Sequence, residues 1–496
     1  MLYTGGILSR RCEAQGPGER GETAMSKGLV GPARGWHWWL VLVVAGCTAG
    51  PPGPVRSAAP LAPAPARSEA PPDTPASPLP ELSEKAGLGA YLEYAALNNP
   101  GLESAFLGWK AALERVPQAR TLPDPRFTYR YFIREVETRV GPQRQSFGIS
   151  QMFPWFGTLE LQGGVAMEAA HAARQRYEAE KLTLFYRVKD AYYEYYYLAR
   201  AIGVVRENRD LLTYLEGVVR TRYKVAAAGH PDVIRAQVEL GRLDDRFRTA
   251  ESLRGPLAAR LNAALGRPVD APVPWPASPP PREPVAATDD EILGWLREAS
   301  PELKALEFEV AGRRKAIDLA KKGYYPDVTL GVDYIDTRDA VMPGVGDSGR
   351  DPVIAMLSVN IPLWYEKYAA GVREAEARHW AALKHRLDRE NTLGGEVKMV
   401  LYRFRDAERK MNLYRDTLLP KARQSLKATE ASFRTGQATF TDLVDAERVL
   451  LEFSLAYERA LADHAQRLAE LEMLVGREIP RADAKSPDDP PKGEKP

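Results

Sequence analysis

Three long stretches of this chain contain no proline: between Pro154 and Pro231, between Pro362 and Pro420, and between Pro420 and Pro480. Glycine is sparse in them, and residues such as Val165, Ala169, Ala172, Tyr177, Ala179, Leu182 and Leu184 recur at helical spacing with Glu, Arg and Lys between them. That pattern predicts amphipathic helix. A helix of roughly sixty residues is about 90 Å long. Globular helices seldom pass about 25 residues, so coiled coil or helical hairpin is expected. The alanines predict an Ala-rich seam with closely approaching backbones. A simple soluble coiled coil would account for the helices alone, but not for what lies between them.

Between them the period changes to two. Phe127, Tyr129, Tyr131 and Ile133 point one way and Arg126, Thr128, Arg130 and Arg134 the other, with Phe132 interrupting the polar side. Beyond a turn at Gly141-Pro142, Phe147, Ile149, Gln151 and Phe153 alternate with Ser146, Gly148, Ser150 and Met152. A second pair follows: Val328, Leu330, Val332 and Tyr334, then a Gly-rich loop at 341–351, then Val353, Ala355, Leu357, Val359 and Ile361. Such alternation predicts strands. An aromatic-aliphatic face opposite a polar one fits lipid on one side and a wet lumen on the other. A soluble hairpin resting on a core would alternate in the same way. Arg126, Arg130 and Arg134 are candidate lumen residues, with an edge-strand charge set as the alternative.

Composition narrows the function classes. Against 68 basic side chains stand 66 acidic ones, a net charge of +2, so no basic surplus points to nucleic acid. A mean hydropathy of −0.37 excludes a polytopic helical membrane protein but not a β-barrel. The two cysteines, Cys12 and Cys47, exclude a disulfide scaffold and a Cys-rich metal site. No Walker A, G-x-S-x-G or H-E-x-x-H motif occurs, and His171, His230 and His464 are isolated. The chain is therefore read as a non-enzyme without cofactor or metal.

The N-terminus has export features. Arg34 precedes a short apolar run ending in Val44-Ala45-Gly46-Cys47. A cation, an apolar run and small residues make a signal peptide, and the run is short for a membrane span. Its end resembles a bacterial lipobox, which makes Cys47 the candidate lipidated residue. An ordinary signal peptide that happens to contain a cysteine is the alternative. Thr48, rather than Asp, favours the outer membrane. Eleven prolines in 48–80 predict an extended tether.

The chain also repeats itself. Tyr223 matches Phe433, Ala226 matches Gly436, Asp232 matches Asp442, Ala236 matches Ala446 and Gly266-Arg267 matches Gly476-Arg477, each at a separation of 210. Upstream, Phe153-Pro154 matches Ile361-Pro362 at 208. The layout is a signal peptide at 1–46 (with 1–24 read as an over-extended start before Met25), a lipidated tether at 47–81, a first repeat at 82–267 with its strand pair at 123–154, a Pro-rich linker at 268–286, a second repeat at 287–480 with its strand pair at 326–362, and a disordered tail at 481–496.

Gly148-Ile149-Ser150-Gln151-Met152-Phe153-Pro154-Trp155, and Phe433-Arg434-Thr435-Gly436 followed by Asp442-Leu443-Val444-Asp445-Ala446, resemble motifs of the TolC-like outer-membrane efflux family. Tyr223 with 232–237 looks like a weaker first copy. The resemblance spans 82–480 and implies an α+β membrane protein: antiparallel coiled-coil hairpins, and four strands per chain contributing to a trimeric twelve-stranded transmembrane barrel. It also implies an exit duct of a tripartite efflux system in the outer membrane, lipid-anchored and reaching into the periplasm. The implied partners are a periplasmic adaptor and an inner-membrane pump of RND or ABC type. A type I secretion duct, or in another class a periplasmic coiled-coil adaptor lipoprotein, is the alternative.

By the same resemblance the turns at 223–237 and 433–447 form the periplasmic tip. Asp232, Arg235, Phe433, Gly436, Asp442 and Asp445 are the gate candidates. Carboxylates repeated around an axis would attract cations, while plain helix capping would place Asp there too. Arg235 stands where the second copy has Asp445, so a latch from Arg235 to Asp442 or Asp445 of a neighbouring copy is expected. Trp155, Phe156, Trp364 and Tyr365 are candidate membrane-interface aromatics, or packing within the strand-to-helix elbow. The tyrosines of 192–197 are expected to pack between helices.

Overall fold

The computed structural model describes residues 82, 86–226, 228–276, 279, 280, 282 and 284–481. The expected signal peptide, Cys47 with its tether, and the tail beyond Arg481 lie outside the described residues.

Asn99 caps the second helix by accepting from the Leu102 N–H at 3.1 Å, with Pro100 supplying a first residue that needs no hydrogen-bond acceptor. Two helices, α1 (Leu88–Asn98) and α2 (Pro100–Arg120), lead into strands β1 (Arg126–Val136) and β2 (Gln143–Phe153). Then α3 (Thr158–Lys224) runs 67 residues without interruption, about 100 Å of helix. It is followed by α4 (His230–Ser252) and α5 (Arg254–Leu265). The second half repeats the order with α6 (Asp289–Ala299), α7 (Pro301–Lys322), β3 (Val328–Thr337), β4 (Val353–Val359), α8 (Tyr365–Leu413), α9 (Leu419–Arg434) and α10 (Phe440–Val475). Both halves end on a glycine in the left-handed region, Gly266 at φ 74° and Gly476 at φ 87°.

The buried stripe of α3 explains its length. Leu184, Val188, Ala191, Tyr195, Leu198, Ile202, Val205, Leu212, Leu215 and Val219 are all buried, and their spacing alternates three and four as in a coiled coil. The seam differs from the Ala-rich expectation. Large side chains on α3, among them Tyr193 and Tyr196, meet small ones on α10, including Ala460 and Ala465. Bulk on one helix set against alanine on the other still lets the two approach closely. The tyrosine run packs between helices as expected: Tyr192 meets Tyr91 edge-on at 5.2 Å, and Tyr195 stacks on Trp275 at 4.4 Å. Trp275 belongs to the Pro-rich linker, whose Val269 and Ala271 carbonyls accept from the Asn262 amide at 3.1 and 2.7 Å. The linker is thus held against the first half.

Pro420 does not end a helix. The chain passes from α8 into α9 through a π-turn at Tyr414–Leu418, where the Leu419 N–H reaches back to the Tyr414 carbonyl. The wider turn makes room for the ring of Pro420, which has no N–H to give.

The four strands form one antiparallel sheet in the order β1-β2-β3-β4. Register carries the alternation across it. Phe127, Ile149, Val332 and Ala355 lie in one row and Tyr129, Phe147, Tyr334 and Val353 in the next. Phe132 falls where the β1–β2 register shifts, between Tyr131 and Val136. A bulge therefore accounts for the break in alternation. The outer edges of β1 and β4 pair with nothing among the described residues.

Candidate functional site

The turn between α3 and α4 and the turn between α9 and α10 come together and are tied by side chains. The Arg222 guanidinium donates to the Phe433 carbonyl at 2.6 Å and lies over the Phe433 ring at 4.7 Å. Phe433 is buried against Phe440 at 6.0 Å. Arg235 donates to the Thr441 hydroxyl, and Arg448 on α10 donates to both carboxylate oxygens of Glu239 on α4.

The candidate carboxylates have different surroundings. Asp442 closes a capping box: it accepts from the Thr439 N–H at 2.8 Å and the Thr439 hydroxyl at 2.7 Å, while the Thr439 hydroxyl accepts from the Asp442 N–H at 3.2 Å. Those bonds to the charged form hold its carboxyl below the usual range. Asp445 pairs with Arg448 at 3.3 Å. Asp232 stands half-buried in the first turn of α4 and makes no side-chain cap. Within the chain, Arg235 is engaged by Thr441 and by neither Asp442 nor Asp445. Gly436, at φ 79°, ends α9 and donates to the Phe433 carbonyl at 3.1 Å. Its counterpart Ala226 adopts φ 58° and donates to the Tyr223 carbonyl at 3.0 Å. The duplicated turn keeps its geometry although one copy has a Cβ.

The sequence reading missed Arg222, Glu239, Glu447 and Arg448. Glu447 is 2% exposed, and its Oε1 has no hydrogen-bond partner. Burial, with Glu239 adding repulsion against the pull of Arg448, pushes its carboxyl up to about 7. No periodicity marks such a group, but Thr439-x-x-Asp442 has the capping-box spacing and was legible.

On the sheet, Arg126 and Arg130 pair with Ser150 and Ser146, on the face opposite Phe127 and Tyr129. Arg134 falls in the shifted stretch, so the ladder does not assign it to that face. The elbow aromatics divide. Trp155 stacks on Tyr325 at 5.2 Å and its backbone N–H donates to the Asp327 carboxylate at 3.1 Å, so it belongs to the elbow. Phe156, Trp364 and Tyr365 are 84%, 75% and 66% exposed.

Residues 293–477 match the family described as Outer membrane efflux protein. The whole arrangement is similar to the Neisseria gonorrhoeae MtrE outer membrane channel, solved in its open state, with a TM-score of 0.65 at 18% identity, covering 82% of this chain and 94% of that one. The chain has the TolC-like outer-membrane efflux fold. It is 28% identical over 206 residues to protein CyaE of Bordetella pertussis, 40% of this chain. It is 22% identical over 190 residues to the cobalt-zinc-cadmium resistance protein CzcC of Cupriavidus metallidurans, 38% of this chain. Each of these two alignments spans 43% of the relative's own length. Among the described residues no helix is long and apolar enough to cross a membrane.

Proposed function

We propose that the protein is the passive exit duct of a tripartite efflux system, spanning the outer membrane as a trimer and closed at its periplasmic tip until an adaptor and pump engage it. The observation that carries this reading is a four-stranded sheet with an aromatic-aliphatic face and two edges unpaired among the described residues. Lipid tolerates no open edge, and four strands do not close a barrel. Two copies would give eight strands, an interior filled by side chains; three give twelve and room for a lumen.

The internal duplication supports the same closure. α7 packs extensively on both α3 and α8, whereas its counterpart α2 packs extensively on α3 and not on α8. The free flank of α8 is thus the seat of α2 from the next copy, as β4 is of β1. The bare Phe156, Trp364 and Tyr365 suit the periplasmic membrane boundary.

The ties from Arg222 to Phe433, Arg235 to Thr441 and Arg448 to Glu239 hold the two tip hairpins together, and opening requires their release. Asp442 and Asp445 add acidic charge at that level. The test is reconstitution into planar bilayers. Wild-type protein forms trimers resistant to dodecyl sulfate until heated, with small conductance. Arg222→Ala with Arg235→Ala opens it further, and Asp442→Ala with Asp445→Ala alters its cation preference or opening. A soluble monomer without conductance would refute the duct, and unchanged traces in both tip variants would refute the gate.

A further inference from the structure

On the face of the sheet opposite the aromatic rows, Arg126, Arg130 and Asp333 are the charged residues held by the strand ladder among the described residues. Their neighbours there are mostly small, such as Ser146, Gly148, Ser150 and Gly331, so the three charges project beyond the surface around them.

Arg130 on β1 reaches across β2 to Asp333 on β3, Nη1 to Oδ1 at 3.4 Å. Gly148 lies beneath the pair. A Cβ there would stand 2.2 Å from the Asp333 Oδ1. The missing side chain is what lets the two partners lie along the sheet and meet. Arg130 is thereby compensated. Arg126, four residues earlier on the same face, is exposed, and its side chain makes no hydrogen bond or ion pair among the described residues. Each chain therefore presents one neutral pair and one bare guanidinium. Arginine stays charged at any working pH.

We infer that this face is a charge filter: in the assembled duct three copies of Arg126 form a cationic ring that favours anionic solutes, and the pairing of Asp333 with Arg130 over Gly148 limits its strength. The inference rests on the channel reading above and deepens it, because it gives the barrel a charge of opposite sign to the carboxylates of Asp232, Asp442 and Asp445 at the tip. A cargo of anions, or of amphiphiles with an acidic end, fits this filter better than free metal cations do.

The experiment is the reversal potential of reconstituted protein under a potassium chloride gradient. Three guanidiniums facing an aqueous lumen at about a Debye length change the concentration of each ion about twofold in opposite senses, and so the chloride-to-potassium permeability ratio about fivefold. Wild-type channels are expected to favour chloride. Arg126→Gln shifts the ratio toward potassium by that factor, and Asp333→Asn, which frees Arg130, shifts it further toward chloride. Arg126→Lys keeps the wild-type value, which separates charge from folding. Channels that conduct with the same reversal potential in Arg126→Gln and Asp333→Asn as in wild type would overturn the filter and leave the duct standing. A silent bilayer for every protein, wild type included, would remove the duct and the filter together.

Discussion

In the first repeat the shaft helix α3 runs 67 residues unbroken and ends at Ala226 with φ 58°, and α4 begins without a side-chain cap. In the second repeat the shaft breaks at the π-turn of Tyr414–Leu418 before Pro420, but it ends at Gly436 with φ 79°, and α10 begins with the Thr439–Asp442 capping box. The two copies have placed their weak points at opposite ends. One has a stiff shaft and a strained, uncapped turn; the other has a jointed shaft and a relaxed, capped turn. A hairpin that swings about its shaft while keeping its own turn intact resembles the second copy. The tip ties join that hairpin to the stiffer one.

The joint between the copies offers the largest effect. Glu447 of the second repeat is buried beside Glu239 of the first, which Arg242 also approaches at 2.9 Å and Arg448 bonds. The Glu447 carboxyl titrates at about 7 in place of an ordinary 4.5. Between those values the folded protein keeps a proton that the unfolded chain has lost, so stability falls as pH rises through this window and levels off above it. Glu447→Gln holds the group neutral. It should remove that slope and stabilise the protein at pH 8 by about 3 kcal/mol, read from thermal unfolding across pH. A variant with the wild-type slope would show that the α4–α10 joint does not carry the proton.

Exchanging the turn residues sharpens the contrast. A Cβ at positive φ costs about 1–2 kcal/mol, and nothing lies within 4 Å of a Cβ built on Gly436. Gly436→Ala should therefore destabilise by that conformational amount alone, and Ala226→Gly should stabilise by a similar one. Equal responses of the same sign in denaturant unfolding would break the comparison. The smallest effect is at the cap. Thr439→Ala removes the hydroxyl that serves the Asp442 N–H and should cost about 1 kcal/mol. Hydrogen exchange should quicken in the first turn of α10 and stay unchanged in the first turn of α4.

Much of this was legible from residues alone, because the signals are local. The absence of proline together with a three-four apolar spacing is enough for α3. Alternation is enough for the strands, and a constant offset of 210 between Tyr223 and Phe433 aligns the two turns before any coordinates. Capping was one of the two readings open for Asp442, and the Thr439-x-x-Asp442 spacing is the local signal that carries it. Pro420 needed the structure for a different reason: whether a helix widens around a proline, as at Tyr414–Leu418, depends on the packing around it.

The sequence by itself determined the elements, their duplication and the two chemistries of the sheet, since each follows from the period of one chain segment. Tertiary structure alone decided which charges meet. Arg222 finds the Phe433 carbonyl, Glu447 faces Glu239, and Arg130 crosses to Asp333 over Gly148. These pairs are separated by two hundred residues or so. The supercoil of the helices and the register of the strands set their contacts, and both are properties of packing that no local pattern encodes.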